Sequence, residues 1–141
     1  MIDAFAYFHL PSVPYDQDFK TADLKALAAR LQGALAGQGY DVGDLFGSDT
    51  DMWGFPVRFD GYFDVDVGIW SPKSSRDNRW SAQVHVQDPG WLKTTRDARL
   101  AKTKEVEWAV HDALRSHFDA RNLEWYFRKG PARVGEGQPT P

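Results

Sequence analysis

Between Trp53 and Val86 the chain alternates apolar and polar residues in three successive stretches. Trp53, Phe55, Val57 and Phe59 form the first; Phe63, Val65, Val67 and Ile69 the second; Trp80, Ala82, Val84 and Val86 the third. A period of two buries one face of a strand and wets the other, so these stretches predict three consecutive antiparallel strands around one apolar face. The parity of the pattern also constrains the first turn, at Asp60-Gly61. A two-residue loop would mix apolar and polar residues across the hairpin, whereas an odd loop, such as a type I turn with Gly61 in a left-handed bulge, keeps each face pure. Pairing Ile69 with Trp80 would set Asp64 opposite His85 and Asp66 opposite Gln83.

The rest of the chain reads as cover for that face. Residues 4–10 are a short aromatic-rich run stopped by Pro11, too short for a helix and suited to an interior strand. A helix is expected from Asp18 or Thr21, with Leu24, Leu27, Ala28, Leu31, Ala34 and Leu35 as its apolar stripe and Gly37 and Gly39 ending it. The basic segment 93–104 is expected to be partly helical. Thr103 is expected to cap a firmer helix whose buried stripe is Val106, Val110, Ala113, Leu114, His117 and Phe118. Residues 123–127 suit a last strand, and the Gly- and Pro-rich residues 129–141 read as a disordered tail. The expected class is α+β, an antiparallel sheet with two helices packed on one face, in the order βαβββαβ, within one domain over residues 1–128.

Composition narrows the function classes. The chain has no Cys, which removes disulfides, thiolate ligands and thiol nucleophiles and fits a reducing compartment. No basic segment precedes an apolar run at Met1-Ile2-Asp3-Ala4-Phe5, and no stretch approaches the roughly 20 apolar residues of a membrane span, so the cytoplasm is the expected location. The net charge of −3 argues against nucleic acid as main partner, but it hides an asymmetry. Residues 41–68 carry seven Asp against one Arg, and residues 71–104 eight Lys or Arg against three Asp. The loop 41–51, with Asp44, Asp49 and Asp51, lacks the spacing and the closing Glu of a calcium loop and reads as solvated or offered to a basic partner.

No glycine-rich phosphate loop, nucleophile elbow or cofactor motif is present. His111 and His117, six apart on a helix, make a poor metal pair. Chemistry concentrates instead on the wet face of the three strands: Arg58, Tyr62, Asp64, Asp66, Trp70 and His85, with Arg79, Gln83 and Gln87. These residue types suit an ordinary solvent face, a face covered by a second copy of the chain, or a surface that meets a basic partner with its carboxylates and anchors it on Tyr62 and Trp70. The alternative is a small metal-dependent enzyme in which Asp64, Asp66 and His85 share a cation or a proton.

A compact, cysteine-free, acidic, aromatic-rich chain of this element order resembles the small immunity proteins of bacterial polymorphic toxin systems, over residues 1–128. That resemblance implies a cytoplasmic inhibitor of one cognate toxin domain, often a nuclease, with no catalytic residue, metal or cofactor. The expected interface is Asp44, Asp49 and Asp51 together with the sheet face Arg58, Tyr62, Asp64, Asp66, Trp70 and His85. An acidic inhibitor offers carboxylates where a basic nuclease binds phosphates.

Overall fold

In the computed structural model the three alternating stretches are adjacent antiparallel strands. In chain order the elements are β1 (Ile2–His9), α1 (Thr21–Gly37), β2 (Asp41–Val42), β3 (Phe46–Gly47), β4 (Met52–Phe59), β5 (Phe63–Trp70), β6 (Trp80–Gln87), α2 (Arg96–His117), β7 (Arg121–Lys129) and β8 (Ala132–Gln138). The structure describes residues 2–13, 21–47, 52–59, 63–72, 79–87, 96–129 and 132–141. All pairings are antiparallel, in the order β2-β4-β5-β6-β1-β7-β8, with β3 also on β4. The fold is α+β.

The faces divide as the alternation requires. Phe55, Val57, Phe63, Val65, Val67, Ile69, Trp80, Ala82, Val84 and Val86 are buried, and with Ala4, Ala6, Phe8 and Trp125 they form one cluster with the inner stripes of both helices. The strand β1 is interior, between β6 and β7. Its outer-face rings are covered by cations of the chain itself, Arg128 over Phe5 at 4.9 Å and Arg79 over Tyr7 at 5.0 Å. Phe59 pairs with Phe63, so the β4–β5 connection has the odd length that the parity demands; the conformation of residues 60–62 lies outside the described residues.

Two-residue slips preserve parity, and here one has occurred relative to expectation. Ile69 pairs with Ala82 rather than with Trp80, which sets Asp66 opposite His85 and Asp64 opposite Gln87. A period-two pattern specifies the face and is blind to shifts by two.

Gly39 ends α1 in the left-handed region, at φ +95°. The amide of Tyr40 donates to the Leu35 carbonyl at 3.2 Å and that of Gly39 to the Ala36 carbonyl at 3.0 Å, the paired bonds of a Schellman cap. The cap turns the chain back into β2 and seats Tyr40 edge-on against Phe59 at 6.5 Å.

Several expectations are corrected. The helix α2 starts at Arg96, and Thr103 lies inside it, its hydroxyl donating to the Arg99 carbonyl at 2.7 Å. A Thr before two glutamates satisfies the sequence rule for a cap and equally the back-bonding of a helix interior. His117 is exposed at the end of α2, and His111 is the buried histidine. Trp108, on the outer side of α2, is 41% exposed. Residues 132–138, read as part of a disordered tail, form β8 on β7, although this glycine-containing strand has no apolar alternation to announce it. The short strands β2 and β3 were also unforeseen.

Candidate functional site

The cross-strand register arranges the open sheet face in rows perpendicular to the strands. One row runs Pro56, Asp66, His85; the next Gly54, Gly68, Gln83, Phe5, Tyr126; the third Met52, Trp70, Ser81, Tyr7, Glu124. The first row is extended by Asp3, one residue beyond the Ala4–Val84 pair, whose Oδ1 lies 2.6 Å from His85 Nδ1. Three strands thus place a carboxylate, an imidazole and a carboxylate side by side.

The middle row is a trough because it contains two glycines. At Gly54 a Cβ would run into the Val67 carbonyl oxygen and the Gly68 Cα, so β4 and β5 approach more closely than side chains permit. At Gly68 a Cβ would stand 2.9 Å from the Trp70 ring and 3.5 Å from Met52 Sδ. The missing side chain lets the Trp70 ring lean down onto the sheet. The result is a cavity of about 240 Å³ with Asp66, His85 and Asp3 along one bank, Met52 and Trp70 along the other, Phe46 at one end and Gln83 at the other. Ligand pockets commonly run from about 300 to 1,000 Å³, so this volume suits one inserted side chain better than a whole metabolite.

The polar bank is joined by hydrogen bonds. A carboxylate only accepts, so His85 Nδ1 carries the proton of its bond to Asp3. Gln83 Nε2 reaches the other Asp3 oxygen at 3.5 Å. Gln83 keeps its amide oxygen as an acceptor. Two carboxylates, the His85 imidazole and the Gln83 amide thus make up the polar bank. Among the described residues no Lys or Arg lines the cavity.

Of the residues expected at an interface, Asp66, Trp70 and His85 come together here. Asp64 lies one row away, between Arg58 and Gln87. Arg58 is exposed, with its guanidinium over Gly43, where a Cβ would be 2.9 Å from Nη2. Asp44 is exposed between β2 and β3, on a segment held by the Gly43 amide to the Pro56 carbonyl at 2.8 Å and by Gln32 to the Gly43 carbonyl at 2.7 Å. Asp49, Asp51 and Tyr62 lie outside the described residues. The trio Asp64, Asp66 and His85 is not assembled as expected, because Asp64 faces Gln87. Among the described residues no three His, Asp or Glu converge to hold a metal.

Sequence reasoning missed Asp3, Phe46, Met52 and the glycine pair. The signal for the glycines was present: Gly54 and Gly68 both fall at wet-face positions of alternating strands, where two absent side chains leave a gap. For Asp3 there was no signal, since nothing in the sequence places β1 beside β6.

A second polar group sits under α2. Thr103, Glu107 and His111 recur every four residues and are 6%, 5% and 2% exposed. Trp125 donates its indole N–H to His111 Nδ1 at 3.0 Å. Burial holds His111 below its ordinary pKa and pushes Glu107 above its own, the latter opposed by Lys104 at 3.5 Å. This group is buried within the core, where His111 is bonded to Trp125 while Glu107 Oε1 has no hydrogen bond.

No known protein family, curated protein or solved structure matches this chain. Among the described residues no helix is long and apolar enough to cross a membrane.

Proposed function

We propose that this protein is a stoichiometric inhibitor of the immunity type, which neutralises a basic toxin domain in the cytoplasm by binding it on the open face of the sheet. The observation that carries the reading is the trough: an acidic bank facing a bank of Met52 and Trp70, on the sheet face opposite the helices. Buried aromatic anchors beside carboxylates are the ingredients of a tight, electrostatically steered interface. Asp44 is exposed on the segment between β2 and β3, and Asp64 lies one row from Asp66, opposite Arg58. The metal-enzyme alternative loses its arrangement with the two-residue shift that separates Asp64 from His85.

The test is affinity capture from the organism that encodes the chain, at moderate salt, followed by an activity assay of the captured protein. The reading requires one partner in equimolar amount, carrying a toxin domain whose activity is lost when the inhibitor is added back. A partner without such activity, or activity unaffected by an equimolar addition, would refute it.

A further inference from the structure

The rows of the open sheet face are complementary to their own reverse. We propose that a second copy of this chain packs there, sheet against sheet, about a two-fold axis that runs along the strands between β6 and β1. Three observations point to that occupant.

The first is the order of the strands. The five long ones lie side by side as β4, β5, β6, β1 and β7. A two-fold axis between β6 and β1 lays β6 on β1 of the second copy and β5 on its β7, with strand directions kept. That is the aligned packing of sheet sandwiches, in which strands cross at about 30° and the sheets stand about 10 Å apart. Rotation about an axis along the strands leaves each row at its own height, so every row meets itself in reverse.

The second is what the rows then bring together. In the row Gly54, Gly68, Gln83, Phe5, Tyr126 the rotation sets Tyr126 of one copy over Gly68 of the other. Tyr126 forms a ridge: its ring lies over Gly137, where a Cβ would be 2.6 Å from it, and stands edge-on to Tyr7 with centroids 5.6 Å apart. Its hydroxyl donates to Glu124 Oε2 at 2.5 Å, so the ridge is already fixed. Gly68 lies in the trough, whose cavity of about 240 Å³ takes one such ring. In the next row Tyr7 meets the small Ser81. In the row of Asp66 the exchanged position is that of Arg128, so a carboxylate and a guanidinium are opposed, whatever contacts each has within its own chain. One rotation sets large side chains against small ones and opposite charges against each other.

The third is size. Strands β1, β4, β5 and β6 have eight residues each and β7 has nine. Their face covers about 600 Å² in projection, before β8 and the corrugation of side chains are added, against about 800 Å² per partner in a standard interface. Phe5, Tyr7, Phe46, Met52, Trp70 and Tyr126 all stand outside the buried core, the kind of aromatic and Met side chains that interfaces collect.

The test is the mass of the full chain in solution, with each variant first shown to melt cooperatively. Sedimentation equilibrium should show a species of twice the 16.0 kDa chain mass, with a dissociation constant near or below about 10 µM. Tyr126→Ala should weaken association at least about tenfold. Arg115→Glu, exposed on α2, should leave it unchanged. Because the chain has no Cys, single-Cys variants report on the axis directly. Gln83 flanks the axis in both copies, so Gln83→Cys should form an intermolecular disulfide on mild oxidation and Arg115→Cys should not. A monomer at about 200 µM, association undiminished by Tyr126→Ala, or a Gln83→Cys variant that stays uncross-linked would each overturn the assignment.

The dimer needs no toxin, so the two readings fail separately. A chain that dimerises but captures no toxin keeps the second copy and loses the inhibitor, and a monomer that neutralises a toxin does the reverse. Where both hold, toxin and second copy compete for one face, and equimolar toxin converts the dimer into a one-to-one complex.

Discussion

Trp125 and His111 are both buried, and the indole N–H of the first donates to Nδ1 of the second at 3.0 Å. That bond needs a lone pair on Nδ1, so it holds the imidazole neutral with its proton on Nε2. The rings of the exposed Trp108 and of His111 meet edge to face, with centroids 5.5 Å apart. Together these contacts tie α2 to β7 at the far side of the sheet from the trough.

The pair predicts an acid-sensitive fold. Burial lowers the His111 pKa from 6.5, so between that value and the lower folded one the unfolded chain binds more protons than the native chain. Stability therefore rises with pH in that window and is lost as pH falls through it. Trp125→Phe should cost about 1–3 kcal/mol near neutral pH, because the buried acceptor is left without its donor. The cost should shrink toward pH 5, where the freed imidazole protonates more easily. Urea denaturation at both pH values measures it, and an equal cost at both would contradict the assignment.

Glu107 works in the opposite direction. Its pKa is raised from 4.5, chiefly by burial, so above 4.5 the native chain holds its proton longer than the unfolded chain does. Its contribution is fully present at low pH and is lost as pH rises through the raised value. Glu107→Gln keeps the shape and removes the buried charge, so it should raise the melting temperature near pH 7.5 and have little effect near pH 4. A lower melting temperature at pH 7.5 would show that the Lys104 contact outweighs burial.

Glycines separate cleanly by surroundings. Gly33 lies in α1 with nothing within 4 Å of an added Cβ, so Gly33→Ala should stabilise by about 0.5–1 kcal/mol through helix propensity. Gly54→Ala should destabilise by about 2 kcal/mol or more, because its Cβ meets β5 backbone that cannot rotate away. Gly39→Ala places a Cβ at φ +95° and should cost about 1 kcal/mol at the α1 cap. Denaturation midpoints of the three variants check the order.

How much of this was legible in the sequence follows from what alternation encodes. Strands β4, β5 and β6, their buried faces and the odd hairpin were readable, since each depends only on parity. The pairing of Asp66 with His85 was not, because a slip by two leaves the faces unchanged. Trp70 and His85 were correctly placed on the open face, yet the third member of their site, Asp3, comes from a strand whose neighbours only the assembled sheet defines. In α2 the stripe ran to His117 on helical spacing alone, but the helix ends there in solvent, while His111 earns its burial through Trp125, fourteen residues away. The polar β8 has backbone pairing and almost no side-chain pattern, so composition pointed away from it.

The measurement closest to the central claim compares affinity capture by the wild-type chain with that by two charge-reversal variants, each first shown to melt cooperatively. Asp3→Lys with Asp66→Lys reverses the acidic bank of the trough, and Arg115→Glu changes an exposed charge on α2, away from the open face. The account predicts that the trough variant loses the toxin partner while the helix variant retains it at wild-type yield. Retention of the partner by the trough variant, with loss in the helix variant, would place the interface on the helical side and contradict the account.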